Sequence, residues 1–189
     1  YSFRVGFAHC RLSIMDLSPM GHQPMNSKDK RISVVFNGEI YNFRDLKKEL
    51  GSYPFQSNCD TEVIIAAYLK WGISCVDKFN GMFAIAILDR KDDSLYLVRD
   101  RIGKKPLYYY VNNETLFFAS ELKPIMKADG FVGEIETDII GNYLHHLCIP
   151  APYTIFRSVY KLLPGSILKF HYGKLETWKY WDVSQKYHE

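Results

Sequence analysis

The block between residues 82 and 119 constrains the fold most. It holds four apolar runs of strand length, Met82–Leu88, Leu95–Arg99, Leu107–Val111 and Leu116–Ala119, separated by turn-forming residues such as Asp92-Asp93, Gly103 and Asn112-Asn113. Runs this closely spaced pair with their sequence neighbours, which argues for antiparallel strands. Asn112-Asn113 suits a tight hairpin because asparagine tolerates positive φ.

Helices interrupt the strands in groups. Phe43, Leu46 and Leu50 recur at i, i+3, i+7, with Asn42 placed to cap the helix and Gly51 to end it. Ile64, Ala67, Tyr68 and Trp71 repeat the pattern after Asp60, and Gly72 closes that run. Shorter helices are expected at Ser120–Lys127 and Thr137–Leu147, and three strand-like pieces around Pro164-Gly165 within Ile155–Trp181. Nearer the start, Phe3, Val5 and Phe7 alternate with Arg4 and Gly6, predicting a strand that runs into Ala8–Ile14, followed by a loop over Asp16–Asn26. Ile32–Phe36 reads as a β-branched strand stopping at Asn37-Gly38. The whole predicts an α+β fold of stacked antiparallel sheets with helices outside.

Composition narrows the function classes. With 24 Lys+Arg against 21 Asp+Glu the formal charge is +3, no basis for electrostatic nucleic-acid binding. No apolar run approaches the roughly 18 residues of a membrane span. Four cysteines, Cys10, Cys59, Cys75 and Cys148, are too sparse for a disulfide scaffold and lie too far apart for a zinc pair. A reducing, cytoplasmic setting is therefore expected. His145 and His146 are adjacent, pointing about 100° apart on a helix, and are read as structural or solvent-facing. No metal site is expected.

Three segments put polar residues where strands or turns end: His9–Ile14, Phe36–Asn42 and Ser57–Val63. Each has a plain reading. Arg11 in an apolar strand suits an internal ion pair, Asn37-Gly38 suits a turn, and Asp60 suits an N-cap. Together they allow another. Arg11 would anchor a carboxylate, the Asn37 amide and Gly38 N–H would receive an oxyanion, and Asp60 would bind an ammonium. That set complements an α-amino acid attacked at its side-chain carbonyl.

The blocks HCRLSIMDLSPMGHQPM (9–25), VVFNGEIYNFRDLKKEL (34–50), SNCDTEVIIAAYLKWG (57–72), FNGMFAIAILDR (79–90), LVRDRIGKKPLYYY (97–110), FFASELKPIM (117–126) and IPAPYTIFRSVYKLLPGSIL…YWD (149–182) carry a resemblance across essentially the whole chain. They resemble the glutaminase domain of glutamine-hydrolysing asparagine synthetases, class II amidotransferases with an N-terminal cysteine nucleophile. The resemblance implies a four-layer αββα sandwich of the N-terminal-nucleophile hydrolase type, truncated at its N-terminus, over residues 1–182, with 183–189 beginning a linker. It also implies that Arg11 holds the glutamine α-carboxylate and Asp60 its α-amine. By the same resemblance, main-chain groups of Leu12, Ser13, Ile14, Met15, Gly38 and Glu39 would line the substrate, and Asn37 and Gly38 would form the oxyanion hole.

No residue matches the family's N-terminal cysteine. Eight residues precede the His-x-Arg-Leu-Ser block, where the family has roughly forty to fifty, so the sequence is read as a fragment, inactive by itself. Cys10 is opposed as a substitute because alternation turns it away from Arg11, and Cys59 because Asp60 would raise its pKa. Arg99, Asp100, Arg101 and Gly103 are read as a structural connection held by ion pairs. The expected activity is that of the glutaminase portion of an ATP-dependent asparagine synthetase, supplying ammonia for amidation of aspartate. The alternatives are a related amidotransferase with a polysaccharide or peptide acceptor, or a non-catalytic amino-acid-binding domain. No cofactor is expected in this domain; ATP and Mg²⁺ would serve the synthetase domain, since no phosphate-binding loop occurs in the sequence. The expected partners are glutamine, that C-terminal domain and, as an open alternative, a second copy of the chain, but neither nucleic acid nor membrane.

Overall fold

The computed structural model describes residues 4–11 and 18–186. Among these residues, nine strands and four α-helices follow in order: β1 (Met25–Asn26), β2 (Ile32–Ile40), α1 (Phe43–Glu49), α2 (Asp60–Trp71), β3 (Gly81–Asp89), β4 (Ser94–Arg99), β5 (Tyr108–Asn112), β6 (Thr115–Ala119), α3 (Leu122–Ile125), α4 (Asp138–His146), β7 (Val159–Lys161), β8 (Ser166–His171) and β9 (Lys174–Lys179). They form a six-stranded sheet ordered β1-β2-β3-β4-β8-β9 and a three-stranded sheet ordered β6-β5-β7. Every pairing is antiparallel.

Strand alternation sorts the apolar side chains into layers. Val34, Phe36, Ile85, Ile87, Val98 and Ile167 turn to one face of the large sheet and pack on Leu46 of α1 and Val63, Ile64 and Ala67 of α2. Their neighbours Val35, Ala84, Ala86, Leu97, Leu168 and Phe170 turn to the other face and meet Tyr109, Leu116 and Phe118 of the small sheet. The small sheet's outer face, with Tyr110, Phe117 and Val159, packs on Leu122 and Ile125 of α3. These three cores separate four layers, helix, sheet, sheet, helix, as expected. β3 and β4 are almost wholly buried because both their faces are covered.

Several local expectations are corrected. Residues 4–10 pair with no strand; Phe7 instead sets its ring edge-on to Phe118, 5.8 Å between centroids. Asn37-Gly38 is not a turn. β2 runs through it to Ile40, because Asn37 and Gly38 lie opposite Ala84 and Phe83 of β3 and the ladder outweighs local turn preference. Asn42 occupies the N-cap of α1, but its side chain reaches away, donating to the Lys78 carbonyl and accepting from the Asn80 amide. Cys59, not Asp60, is the N-cap of α2. The 120–127 helix shrinks to Leu122–Ile125, with Glu121 at its cap.

The Arg99–Gly103 connection is structural, but by backbone capture rather than ion pairing. The Arg99 guanidinium donates to the carbonyls of Gly103, Lys105 and Leu162. The fully buried Asp100 carboxylate accepts the amides of Phe83, Ile102, Lys104 and Lys105. Thr137–Leu147 holds within a residue at each end as α4, whose two histidines are exposed with rings edge to face.

Candidate functional site

The site is built on one edge of β2. Arg90 N–H donates to Arg31 C=O, and Tyr41 N–H to Asn80 C=O, so odd-numbered residues of β2 bond toward β3. Antiparallel pairing alternates these directions, so the even-numbered amides face the opposite edge. β1 covers that edge only at Ser33 and Val34. Beyond it, side chains take the place of a strand. Gln23 Oε1 accepts from the Phe36 amide at 2.6 Å, and Asp60 Oδ2 from the Ile40 amide at 3.0 Å. The amide between them belongs to Gly38. Among the described residues, no acceptor is placed on it.

Gly38 is there because nothing larger fits. A Cβ would lie 2.0 Å from the Met82 carbonyl oxygen and 2.7 Å from the Phe83 Cα, and its φ of 151° is one that L-residues rarely adopt. Asn37, one residue earlier, carries its side chain to the inter-sheet side, where Nδ2 donates to Ser120 Oγ at 3.0 Å just past the end of β6. Glu39 is half-buried beside Asp60.

Asp60 opens α2 and is buried. Burial pushes its carboxyl above the usual carboxylate range; the amides of Ile40, Asp60 itself and Thr61 oppose this, while Glu39 adds to it. Gln23 ties this helix end to β2, since its Nε2 donates to Thr61 Oγ1 at 3.4 Å. Arg11, half-buried, donates from Nη1 to the Ser18 carbonyl at 3.0 Å. Its guanidinium lies against Gly21, where a Cβ would meet Nη2 at 2.1 Å. The turn holding Arg11 thus runs directly into Gln23 and the β2 edge. His9 stands beside the Phe36 carbonyl and Arg11; burial chiefly lowers its pKa, the Phe36 carbonyl opposing and Arg11 assisting.

The structure therefore brings Asn37, Gly38, Glu39 and Asp60 together and joins the Arg11 turn to them through Gln23. Leu12, Ser13, Ile14 and Met15 lie outside the described residues. Gln23, Thr61 and Ser120 were not singled out from sequence, and no periodicity or turn signal marks them. Ser120 was assigned to a helix instead.

None of the cysteines joins this cluster by any described contact. Cys10 and Cys148 are exposed, and Cys59 is buried with Sγ 3.0 Å from Ser57 Oγ. Burial, with Asp77 nearby, pushes the Cys75 thiol far above its ordinary value. Among the described residues, no group of three or more His, Cys, Asp or Glu could hold a metal ion, and no helix is long and apolar enough to cross a membrane.

Residues 1–181 match the glutamine amidotransferase domain family. Asparagine synthetase [glutamine-hydrolyzing] 3 of Bacillus subtilis is 34% identical over 187 residues, which take in 96% of this chain and 30% of that protein. Asparagine synthetase [glutamine-hydrolyzing] 1 of the same organism is 40% identical over 164 residues, 86% of this chain and 26% of that protein. Among solved structures, the glutamine phosphoribosylpyrophosphate amidotransferase of B. subtilis superposes with a TM-score of 0.63 at 19% identity, over 90% of this chain and 34% of that one. This last likeness is one of fold. The chain spans under a third of the length of the two synthetases it matches here.

Proposed function

From the premise that the chain belongs to the glutamine amidotransferase domain family, we propose that it is the glutaminase portion of an asparagine synthetase. It would bind glutamine and position its side-chain amide for attack, so that ammonia is released for aspartate amidation. The observation that carries this reading is the β2 edge, where the Gly38 amide lies between two amides already taken by Gln23 and Asp60. A donor held in a rigid ladder costs no reorganisation when an oxyanion forms.

The roles follow from chemistry. Arg11 pairs with the α-carboxylate through its planar fork. Asp60, held ionised by the arriving ammonium, takes the α-amine, and the substrate cation offsets the burial that raises its pKa. Leu12–Met15 and Glu39 line the substrate. Gly38 N–H and the Asn37 amide receive the oxyanion. The attacking thiolate is assigned to none of the chain's four cysteines: Cys59 and Cys75 are buried, and neither Cys10 nor Cys148 makes a described contact with Asn37 or Gly38. ATP and Mg²⁺ belong to activation of the acceptor and are assigned to no residue here; four free thiols suit a cytoplasmic setting.

Calorimetric titration of the 189-residue chain tests the reading. Glutamine should bind weakly without releasing ammonia. Nα-acetylglutamine, which lacks the cation, and glutamine α-amide, which lacks the carboxylate, should each bind at least about tenfold more weakly, the loss of one charged contact. Equal binding of all three would refute the roles of Arg11 and Asp60, and ammonia release by the chain alone would refute the account of the nucleophile.

A further inference from the structure

We infer that Ser120 is a positioning residue for the oxyanion-binding amide, an inference that rests on the glutaminase reading above. An asparagine amide carries two N–H bonds in one plane, about 120° apart. Asn37 Nδ2 commits one of them to Ser120 Oγ at 3.0 Å. That bond fixes the plane of the amide, with Nδ2 and not Oδ1 on the Ser120 side. The second N–H is then aimed, without further adjustment, away from Ser120. An unbonded asparagine would rotate about its last torsion, which is broad and roughly two-fold, and would present oxygen to the developing negative charge much of the time.

The two partners come from different layers. Asn37 sits in β2 of the large sheet, and Ser120 follows β6 of the small sheet, 83 residues later in the chain. Their bond spans the inter-sheet space beside the hydrophobic contact of Val35 and Ala84 with Leu116 and Phe118. The orientation of the amide is thereby set by how the two sheets pack and not by β2 alone. Ser120 is half-buried and begins no helix of its own, Glu121 being the cap of α3, so its hydroxyl is free of a capping duty.

The effect belongs on the chemical step. The substrate's charged ends are held elsewhere, so loss of the hydroxyl should leave glutamine binding intact while weakening oxyanion stabilisation. Deleting an oxyanion donor outright typically costs 10²–10³ in kcat. Misorienting one that is still present should cost less, on the order of tenfold.

The test compares Ser120→Ala and Ser120→Thr with wild type in the full-length protein. Glutamine kcat and KM are measured, together with inhibition by glutamate γ-semialdehyde, whose tetrahedral adduct places an oxygen where the oxyanion forms. Ser120→Ala should lower kcat about tenfold, weaken aldehyde inhibition by a similar factor and leave KM within about twofold; Ser120→Thr, which keeps the hydroxyl, should restore most of both. An unchanged kcat in Ser120→Ala overturns the assignment. So does a rise in KM with unaltered aldehyde inhibition, or a Ser120→Thr variant as impaired as alanine, since either marks a merely structural role. Thermal unfolding of each variant separates loss of fold from loss of orientation. A wild type that does not hydrolyse glutamine sinks the glutaminase reading itself, whereas an active wild type with indifferent Ser120 variants sinks only this inference.

Discussion

Gly38→Ala is the substitution whose outcome the geometry determines most completely. The added methyl carbon would meet the Met82 carbonyl oxygen at 2.0 Å and the Phe83 Cα at 2.7 Å. Both obstacles are backbone of β3, an almost wholly buried strand that cannot swing aside. Opening the contact even to the shortest tolerable separation requires the strands to part by about 1 Å, in an interior packed like an organic crystal. The flanking pairs, Asn37 with Ala84 and Glu39 with Met82, would then have their hydrogen bonds stretched from about 2.9 Å to nearly 4 Å, beyond useful range. A few such bonds at about 1 kcal/mol net each, with roughly 1–2 kcal/mol for a φ unsuited to alanine, give a loss of about 3–5 kcal/mol. At about 2–4 °C per kcal/mol for a chain of this size, Tm should fall by roughly 6–20 °C. Urea unfolding measures this directly. Gly6→Ala is the control: its Cβ meets nothing within 4 Å, and such exposed changes stay within about 0.5 kcal/mol. A Gly38→Ala variant within about 1 kcal/mol of wild type, at unchanged m-value, would refute the argument that the close approach dictates glycine.

Three further outcomes follow from two buried carboxylates. Asp60 has a folded pKa raised above its ordinary 3.8 by burial, so it holds its proton more tightly folded than unfolded. Its contribution to stability is therefore fullest below that value and is lost as pH rises through the folded pKa. On the role proposed for Asp60, glutamine binding should weaken as pH falls through that same raised value; in Asp60→Asn it should be weak and flat with pH, and a wild-type profile that is flat down to about pH 4 would contradict the assignment. Asp100→Ala strands four amides, one on β3 and three in the turn after β4, which should cost at least about 4 kcal/mol in denaturant unfolding; a loss below about 1 kcal/mol would show that those amides find other partners.

The elements that sequence made legible are those whose reasons are local. α2 was readable because an i, i+3, i+4, i+7 stripe is closed by Gly72, whose φ of 62° favours glycine. The β5–β6 hairpin was readable because Asn113 adopts φ 52° where asparagine is tolerated. What misled were residues whose partners lie far along the chain. Asn37-Gly38 carries a strong turn signal, and only the β3 backbone, over forty residues away, holds it straight. Arg99 and Asp100 read as a charge run because nothing in the sequence shows that their partners are main-chain groups, some in the turn that follows and others, Phe83 and Leu162, on distant segments. In the same way Arg11, Asn37, Gly38 and Asp60 could be nominated from their chemistry and from family likeness. Gln23 and Ser120, which hold the β2 edge and the Asn37 amide in place, became visible only in three dimensions.

The side chains along β2 also bear on how the molecule keeps to itself. An open strand edge ordinarily invites a second polypeptide to zip onto it, the first step of many aggregates. Here Ser27, Gln23 and Asp60 already occupy the outward amides of Ile32, Phe36 and Ile40, so an incoming strand would find its docking positions filled. Among the described residues, the Gly38 amide is left between them without an acceptor. An edge filled in this way offers a second strand no continuous ladder to join, so the contacts that shape the candidate site also work against pairing of one chain with another.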